Sequence, residues 1–411
     1  MVLEHQEYTQ TAVPKEQRRS GWHIFFIVTG TMCGLPTFVL SARIINALGI
    51  INGSLAIFIG AAVIATLASA TSFLGAASGL SHALLSERAF GQTGAGLVRV
   101  LLATSLIGWY GANIGLLGDT AEHALSDQFH LTISSPLISS GLGILIMLAA
   151  LRGIGGLERI GMIVIPASII GILIAIFHVW HDLPRLSSVA PTKEMNIGEA
   201  LSSIIGSYIV GIIIQPDYSR FVRVPYHAVA AILLSLIVVY PLMMLGAAIP
   251  AVVEHKANLI AVLTALGFGA PALVILLLGT WIDASACLYS GSLSVAKQIN
   301  IRRITPCIIG CGLCGICINF LGIYGLYLRF LLLLGVGLPP IAAILIVEGF
   351  FYRENQMKLP RWRPWSLIAW LLGVVAGAMC SLGSASLTFI PTFDAILVST
   401  TIALIGVLVK R

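Results

Sequence analysis

Stretches of roughly twenty apolar residues recur along the whole chain, and this constrains the fold more than any other feature of the sequence. At about 1.5 Å per helical residue, each can cross a hydrocarbon core about 30 Å thick. Twelve are counted, at about 22–45, 52–80, 97–119, 132–151, 157–179, 197–215, 226–252, 268–294, 304–321, 324–349, 364–383 and 390–409. A soluble domain carries about 25% charged residues. Here 411 residues are 10% charged and 58% hydrophobic, so the surplus apolar surface faces lipid. The first twenty residues are polar, with Glu4, Glu7, Lys15, Arg18 and Arg19, and no small-residue cleavage site follows the first apolar run. No removable signal peptide is therefore read, and helix one is expected to stay in the mature protein. The layout expected is a cytoplasmic tail over 1–21 and a single transmembrane domain over 22–411.

Orientation follows from the basic residues, because Lys- and Arg-rich loops stay cytoplasmic. With the N-terminus inside, eighteen of the twenty-three Lys and Arg fall in inward segments; Arg185, Lys193 and Lys256 fall in outward loops, and Arg43 and Arg329 in the outer parts of helices one and ten. Both termini are then cytoplasmic in a multi-pass protein of the plasma membrane, the inner membrane of a bacterium. The net charge of +6 reflects this topology and gives no reason to expect nucleic-acid binding.

Two helices carry matched interruptions five helices apart: Gly30, Gly34 and Pro36 in helix one, and Gly206, Gly211 and Pro216 in helix six. Lipid cannot satisfy the backbone groups that such a break frees, so broken helices line protein cavities, and a matched pair points to a transport site between inverted repeats. Gly and Pro are also simply common in membrane helices, and this chain has 42 Gly.

Trp109 lies near the middle of helix three, where a Trp needs an internal partner for its N–H and offers a large flat face. Asn113 follows one turn later on the same side. Together they suggest a stacking plate with a hydrogen-bonding group beside it, or else a packed Trp and an Asn that ties two helices together. Asp283, in helix eight, is the one acidic residue well inside an apolar run, with about ten residues on either side. A membrane-buried carboxylate is a functional-site candidate by default; the structural alternative is a salt bridge to Arg329 or Arg43. Glu348 and Asp394 lie nearer helix ends, where solvation is easier. Cys307, Cys311, Cys314 and Cys317 form a stripe on helix nine that reads as small packing residues, with no metal site expected. Among the nine histidines, His23 adjoins an apolar run. The sequence lacks His-Glu-x-x-His, Gly-x-Ser-x-Gly and a phosphate-cradling Gly-rich loop, which argues against an intramembrane hydrolase or an ATP-driven pump.

Several segments together resemble the nucleobase:cation symporter-1 family, which includes cytosine permeases and hydantoin transporters. They are Leu85-Ser86-Glu87-Arg88-Ala89-Phe90-Gly91-Gln92-Thr93-Gly94, Gly108-Trp109, Gly206-Ser207-Tyr208, Asp217-Tyr218-Ser219-Arg220-Phe221, Trp281 through Leu288-Tyr289, and Gly337-Leu338-Pro339-Pro340. The resemblance implies an all-α polytopic protein of about twelve helices, with the five-plus-five inverted repeat of the leucine transporter, broken helices one and six, and alternating access. It implies a substrate ring between Trp109 and Tyr208, with Asn113, Ser207, Ala284 and the backbone near Gly34 at the ring edge. The cation site would join carbonyls at the helix-one break, from Cys33 and Pro36 to Thr37, to helix eight at Asp283 and Ser285.

Two departures stand out. In sodium-coupled members the two positions after the helix-eight Trp are usually Ser or Thr, and here they are Ile282 and Asp283; the next is commonly Asn and here is Ala284. A carboxylate in that place attracts a cation or takes up a proton, and burial in a low dielectric favours the protonated acid. The coupling ion, H+ or Na+, is expected to be the proton. No cofactor and no catalysis are expected. The substrate stays open among cytosine, another pyrimidine or purine, a thiamine-precursor pyrimidine, and a hydantoin- or allantoin-like ring. A receptor or channel on the same fold is the competing class.

Overall fold

A computed structural model describes residues 8–152, 154–188, 190–256, 258–351 and 359–409. Residues 1–7 of the expected tail, and Arg353, Lys358, Lys410 and Arg411, lie outside the described residues. The chain runs through α1 (Trp22–Thr31), α2 (Leu35–Ser78), α3 (His82–Phe90), α4 (Gly94–Phe129), α5 (Ser135–Ala150), α6 (Ile154–His178), α7 (Ile197–Ser219), α8 (Pro225–Leu233), α9 (Tyr240–Val253), α10 (Leu259–Ala265), α11 (Gly269–Gln298), α12 (Thr305–Phe320), α13 (Tyr327–Gly337), α14 (Pro339–Phe351), α15 (Pro364–Ser381) and α16 (Pro391–Val409). Among the described residues the only bridge of β type is an isolated pairing of Arg19 with Val222. Among the described residues eight helical stretches are long and apolar enough to cross a membrane, and three shorter apolar helices accompany them.

Helix one is broken where the sequence suggests. α1 ends at Thr31, Gly34 is extended (φ −80°, ψ 159°), and Pro36 sits in the first turn of α2, where its missing N–H costs no hydrogen bond. The 44 residues of α2 contain two helices in series, turned at Gly49 (φ 76°, ψ 169°), a conformation that glycine alone adopts cheaply. The break in helix one is covered by backbone: Gly279 of α11 lies against the Cys33 carbonyl, and Gly161 of α6 against the Phe26 carbonyl.

Helix six departs from expectation. α7 is continuous from Ile197 to Ser219, with Pro216 inside it. Its glycines serve packing instead. Gly206 lets the helix approach the Leu331 carbonyl of α13, and Gly211 lies beneath the ring of Tyr208. A capping box starts α7: the Glu199 N–H donates to the Asn196 side chain (2.9 Å), and the Asn196 N–H donates to the Glu199 carboxylate (2.8 Å).

Two other apolar runs are less regular than their composition suggests. Helix ten is interrupted at Leu338, before the paired prolines that open α14. Between α8 and α9 the chain widens into a π-helical turn over Leu234–Val239, which sets the Ser235 hydroxyl 2.9 Å from Thr29 Oγ1. α7 is among the most enclosed helices and packs on α2 and α13, while α15 is the most exposed and packs on α16 at one edge. Outward side chains such as Phe177, Leu173 and Ile163 make an apolar surface suited to lipid.

The close approach at Gly279 is directly testable. Gly279→Ala puts a methyl group into the Cys33 carbonyl and is expected to cost about 1–3 kcal/mol. Its melting temperature in detergent should fall by a few degrees. Gly310→Ala, which meets nothing within 4 Å, should melt like the native protein. Equal melting of all three proteins is inconsistent with the packing described.

Candidate functional site

At the break in helix one, α1, α2, α4, α7, α9 and α11 surround a cavity of about 50 Å³, room for a few water molecules. Trp109 of α4, Pro36 and Thr37 of α2, Ser207 and Tyr208 of α7, Tyr240 of α9 and Asp283 of α11 all line it. Asp283 is the only carboxylate among the lining residues. Its partners come from α4: the Trp109 indole N–H donates to Oδ2 at 2.9 Å, and the Asn113 amide donates to the same oxygen at 2.8 Å. Donors of this kind compensate a carboxylate for much of the water it loses. Because both converge on Oδ2, the other oxygen, Oδ1, has no protein donor among the described residues and is the natural place for a proton or a ligand N–H.

This arrangement corrects two readings. Asp283 does not pair with Arg329 or Arg43, both of which line a different cavity. Asn113 is buried against the carboxylate and is not among the cavity-lining residues, so it positions Asp283 instead of meeting a ring edge. Its Oδ1 has no hydrogen-bond partner.

The other expected residues divide. Trp109, Ser207, Tyr208, Pro36 and Asp283 meet at the cavity. Ser207 donates to the Ile204 carbonyl (2.7 Å) and lies 3.3 Å from the Tyr240 hydroxyl, while the Tyr208 hydroxyl donates to Gln215 (3.3 Å). Gly34, Cys33, Ala284 and Ser285 do not line it. Gly34 and Cys33 lie at the break against Gly279; the Cys33 thiol donates to the Thr29 carbonyl at 3.3 Å. Ala284 and Ser285 are buried, and the Ser285 hydroxyl has no partner. The rings nearest Trp109 are Tyr327 and Phe330 of α13, with centroids 6.1 and 5.9 Å away and tilted planes. They pack over Trp109 from the α13 side and make an aromatic roof above that ring.

Ile282 occupies the seam of α1, α6 and α11. Its terminal methyl would stand 2.5 Å from a Cβ at Gly30 and 3.3 Å from one at Gly161, so hydrocarbon fills the space between those two backbones.

At the C-terminal end of α7, next to the α3 start, lies a buried polar network to which the sequence reading gave no role. His82 is fully buried and donates its backbone N–H to Asp217 Oδ1 (3.0 Å); its ring nitrogens lie 2.7 Å from Asp217 Oδ2 and 2.7 Å from Ser294 Oγ. Arg220, also fully buried, donates to the Tyr289 hydroxyl (3.1 Å) and to the Tyr8 carbonyl (3.1 Å). Residues before α1 are strapped over this end. The Val13 N–H donates to the Gly79 carbonyl (2.9 Å), Arg18 to the Ala76 carbonyl (2.7 Å), and the Arg19 N–H to the Phe221 carbonyl (2.6 Å). A missed signal was available in His82, which directly follows an apolar run. Tyr240, an isolated aromatic inside another run, was a second.

A membrane protein whose broken helix and buried carboxylate share a cavity, with a buried polar network beyond it along α7 and aromatic rings packed over Trp109, has the architecture of a secondary transporter. The family model described as a permease for cytosine/purines, uracil, thiamine and allantoin matches residues 12–393, and the chain belongs to that family. It is 24% identical over 381 residues to cytosine permeases of Escherichia coli K12 and O157:H7, covering 90% of this chain and 88% of theirs. Among solved structures it resembles Mhp1, a nucleobase-cation-symport-1 family transporter, in a closed conformation with bromovinylhydantoin bound (TM-score 0.83, 15% identity, 97% of this chain and 94% of that one). It also resembles inward-facing Mhp1 (TM-score 0.78, 15% identity, 97% and 92%) and a Na+-coupled sialic acid symporter in an outward-open state (TM-score 0.71, 12% identity, 96% and 90%). The fold is thus the one shared by these symporters.

Proposed function

We propose that the chain is a secondary active symporter that imports a nucleobase-like heterocycle together with a cation by alternating access, within one unit spanning 22–411. The observation that carries this reading is the Asp283 carboxylate, fixed by Trp109 and Asn113 in a cavity that also presents the aromatic side chains of Trp109, Tyr208 and Tyr240. Aromatic faces stack on a flat ring, and Oδ1 accepts one of its N–H groups or lends it a proton. The names of the relatives, cytosine permeases and a hydantoin-binding symporter, support a heterocycle of this size.

The coupling ion in this reading is the proton. Ile282 puts a methyl group into the seam where a hydroxyl ligand was expected, which leaves a bare sodium ion short of oxygen donors. A protonated Asp283 keeps Oδ2 as the acceptor of both donors and carries its hydrogen on Oδ1, so it can load and unload a proton without rearranging Trp109 or Asn113. Uptake into proteoliposomes under an inward proton gradient in sodium-free buffer should be uphill, and Asp283→Asn should lose the gradient dependence. A native protein that is idle there and revived by sodium refutes proton coupling, and transport indifferent to any gradient refutes symport in favour of a channel.

Trp109 is assigned the stacking face. Stacking of a base on an aromatic ring contributes roughly 1–3 kcal/mol, about tenfold to a hundredfold in affinity. Trp109→Ala also removes a donor to Asp283, so ring binding measured by thermal shift should fall at least a hundredfold while the protein stays folded. Unchanged affinity removes Trp109 from the site.

In this reading both termini and the strapped helix ends face the cytoplasm, which the asymmetry of Lys and Arg supports. Leu326, exposed at the opposite end, should then, as Leu326→Cys, react with a membrane-impermeant thiol reagent added outside intact cells. Labelling only after the cells are opened reverses the orientation.

A further inference from the structure

Beyond the aromatic roof lies a second, larger cavity of about 1100 Å³. Arg43, Lys256 and Arg329 line it, with His123 and with Asp119 as its single carboxylate. These three cations come from α2, the loop before α10, and α13, and none of them forms an ion pair among the described residues. Counting three cations against one carboxylate, the lining carries a formal charge of +2 with His123 neutral. Only five of the chain's Lys and Arg fall on the outward side, and three of the five meet here. Scattered surface lysines would not converge in this way.

A second observation points to a ligand. Tyr327 also lines this vestibule; it is only 7% exposed, and its hydroxyl has no hydrogen-bond partner among the described residues. Burying an unpaired hydroxyl is costly, and the cost is recovered when a ligand supplies an acceptor. The Tyr327 ring also touches Trp109 of the inner cavity, at 6.1 Å between centroids. Along α4, Leu116 of the vestibule and Trp109 of the cavity are about two helical turns apart, roughly 10 Å.

We propose that this vestibule is an outer binding site for a small carboxylate-bearing heterocycle, held by Arg43, Lys256, Arg329 and the Tyr327 hydroxyl before it passes the aromatic roof to Trp109. The proposal deepens the symporter reading and rests on it: it names the substrate class as an anion whose charge is balanced by the proton on Asp283. Cationic clefts concentrate anions and raise their rate of entry by tenfold or more at low salt. That advantage fades as the Debye length shrinks to about 3 Å at 1 M salt.

The test has two arms on the purified full-length protein. In the first, the thiol of Leu326→Cys forms a mixed disulfide, with loss of a sulfinate, on reaction with two thiosulfonate reagents of matched size, one bearing a sulfonate and one a trimethylammonium, with the native protein as the blank for its own cysteines. The sulfonate reagent should react about tenfold faster relative to a free thiol at low salt. The preference should vanish at high salt and in Arg43→Gln/Lys256→Gln/Arg329→Gln. Equal rates at low salt overturn the proposal. In the second arm, melting temperature is followed with uracil and with its 6-carboxylate. The carboxylate should bind about tenfold more tightly than uracil, and the triple variant should lose that advantage while still binding uracil. Tighter binding of uracil by the native protein, or a carboxylate advantage that survives in the triple variant, overturns the proposal. A reagent preference with no response to either ring supports the vestibule as an anion site and overturns the heterocycle reading beneath it.

Discussion

A bilayer interior supplies no hydrogen-bond partner, so a helix can open there only where other protein closes over the opening. In this chain that closure is made by glycine. The extended residue Gly34 frees backbone at the middle of helix one, and Gly279 and Gly161 let α11 and α6 come close enough to lie on the Cys33 and Phe26 carbonyls. The position of the cavity follows, because side chains projecting from both halves of the broken helix reach the same space as Trp109 and Asp283. So does the place of Ile282, whose methyl group fills the seam that the close approach creates.

Within that frame the central carboxylate is an electrostatic problem solved locally. Two donors one turn apart on α4 converge on one oxygen, and the second oxygen remains for chemistry. A symmetrical arrangement, one donor to each oxygen, would hold the ionised form more firmly and resist a proton. The asymmetry seen here lets the same residues serve both charge states. It also gives Asn113 a supporting role, since a residue that aims an acid is as necessary as the acid itself.

Much of this was legible in the sequence, and the limits have physical causes. Apolar stretches must match the bilayer thickness, so a polytopic helical protein could be read, though not the exact number of spans; polar residues within them must find partners, so Trp109, Asn113 and Asp283 could be singled out. Gly34 with Pro36 marked a true break. Gly206 and Gly211 did not, because glycine permits both an irregular backbone and a close approach, and only the neighbours (the Leu331 carbonyl and the Tyr208 ring) distinguish them. His82 and Asp217 are 135 residues apart, and nothing local in either segment announces the pairing. Likewise, Arg43 and Arg329 were reasonable partners for Asp283 by depth, yet depth does not say which cavity a side chain enters.

The strap over the C-terminal end of α7 is joined to the helix ends in an unusual way for a membrane protein. Arg19 is tied through its own main chain, its N–H to the Phe221 carbonyl and its carbonyl to the Arg223 N–H at 2.8 Å, and Val13 is tied to Gly79 in the same manner. Main-chain bonds are indifferent to which side chain is present. These ties tolerate a change of side chain at Val13 or Arg19 while fixing the length of the segment, whereas the guanidinium groups of Arg18 and Arg220 hold it through side chains. Any opening at this end would have to unzip and rebuild that short stretch of extended chain.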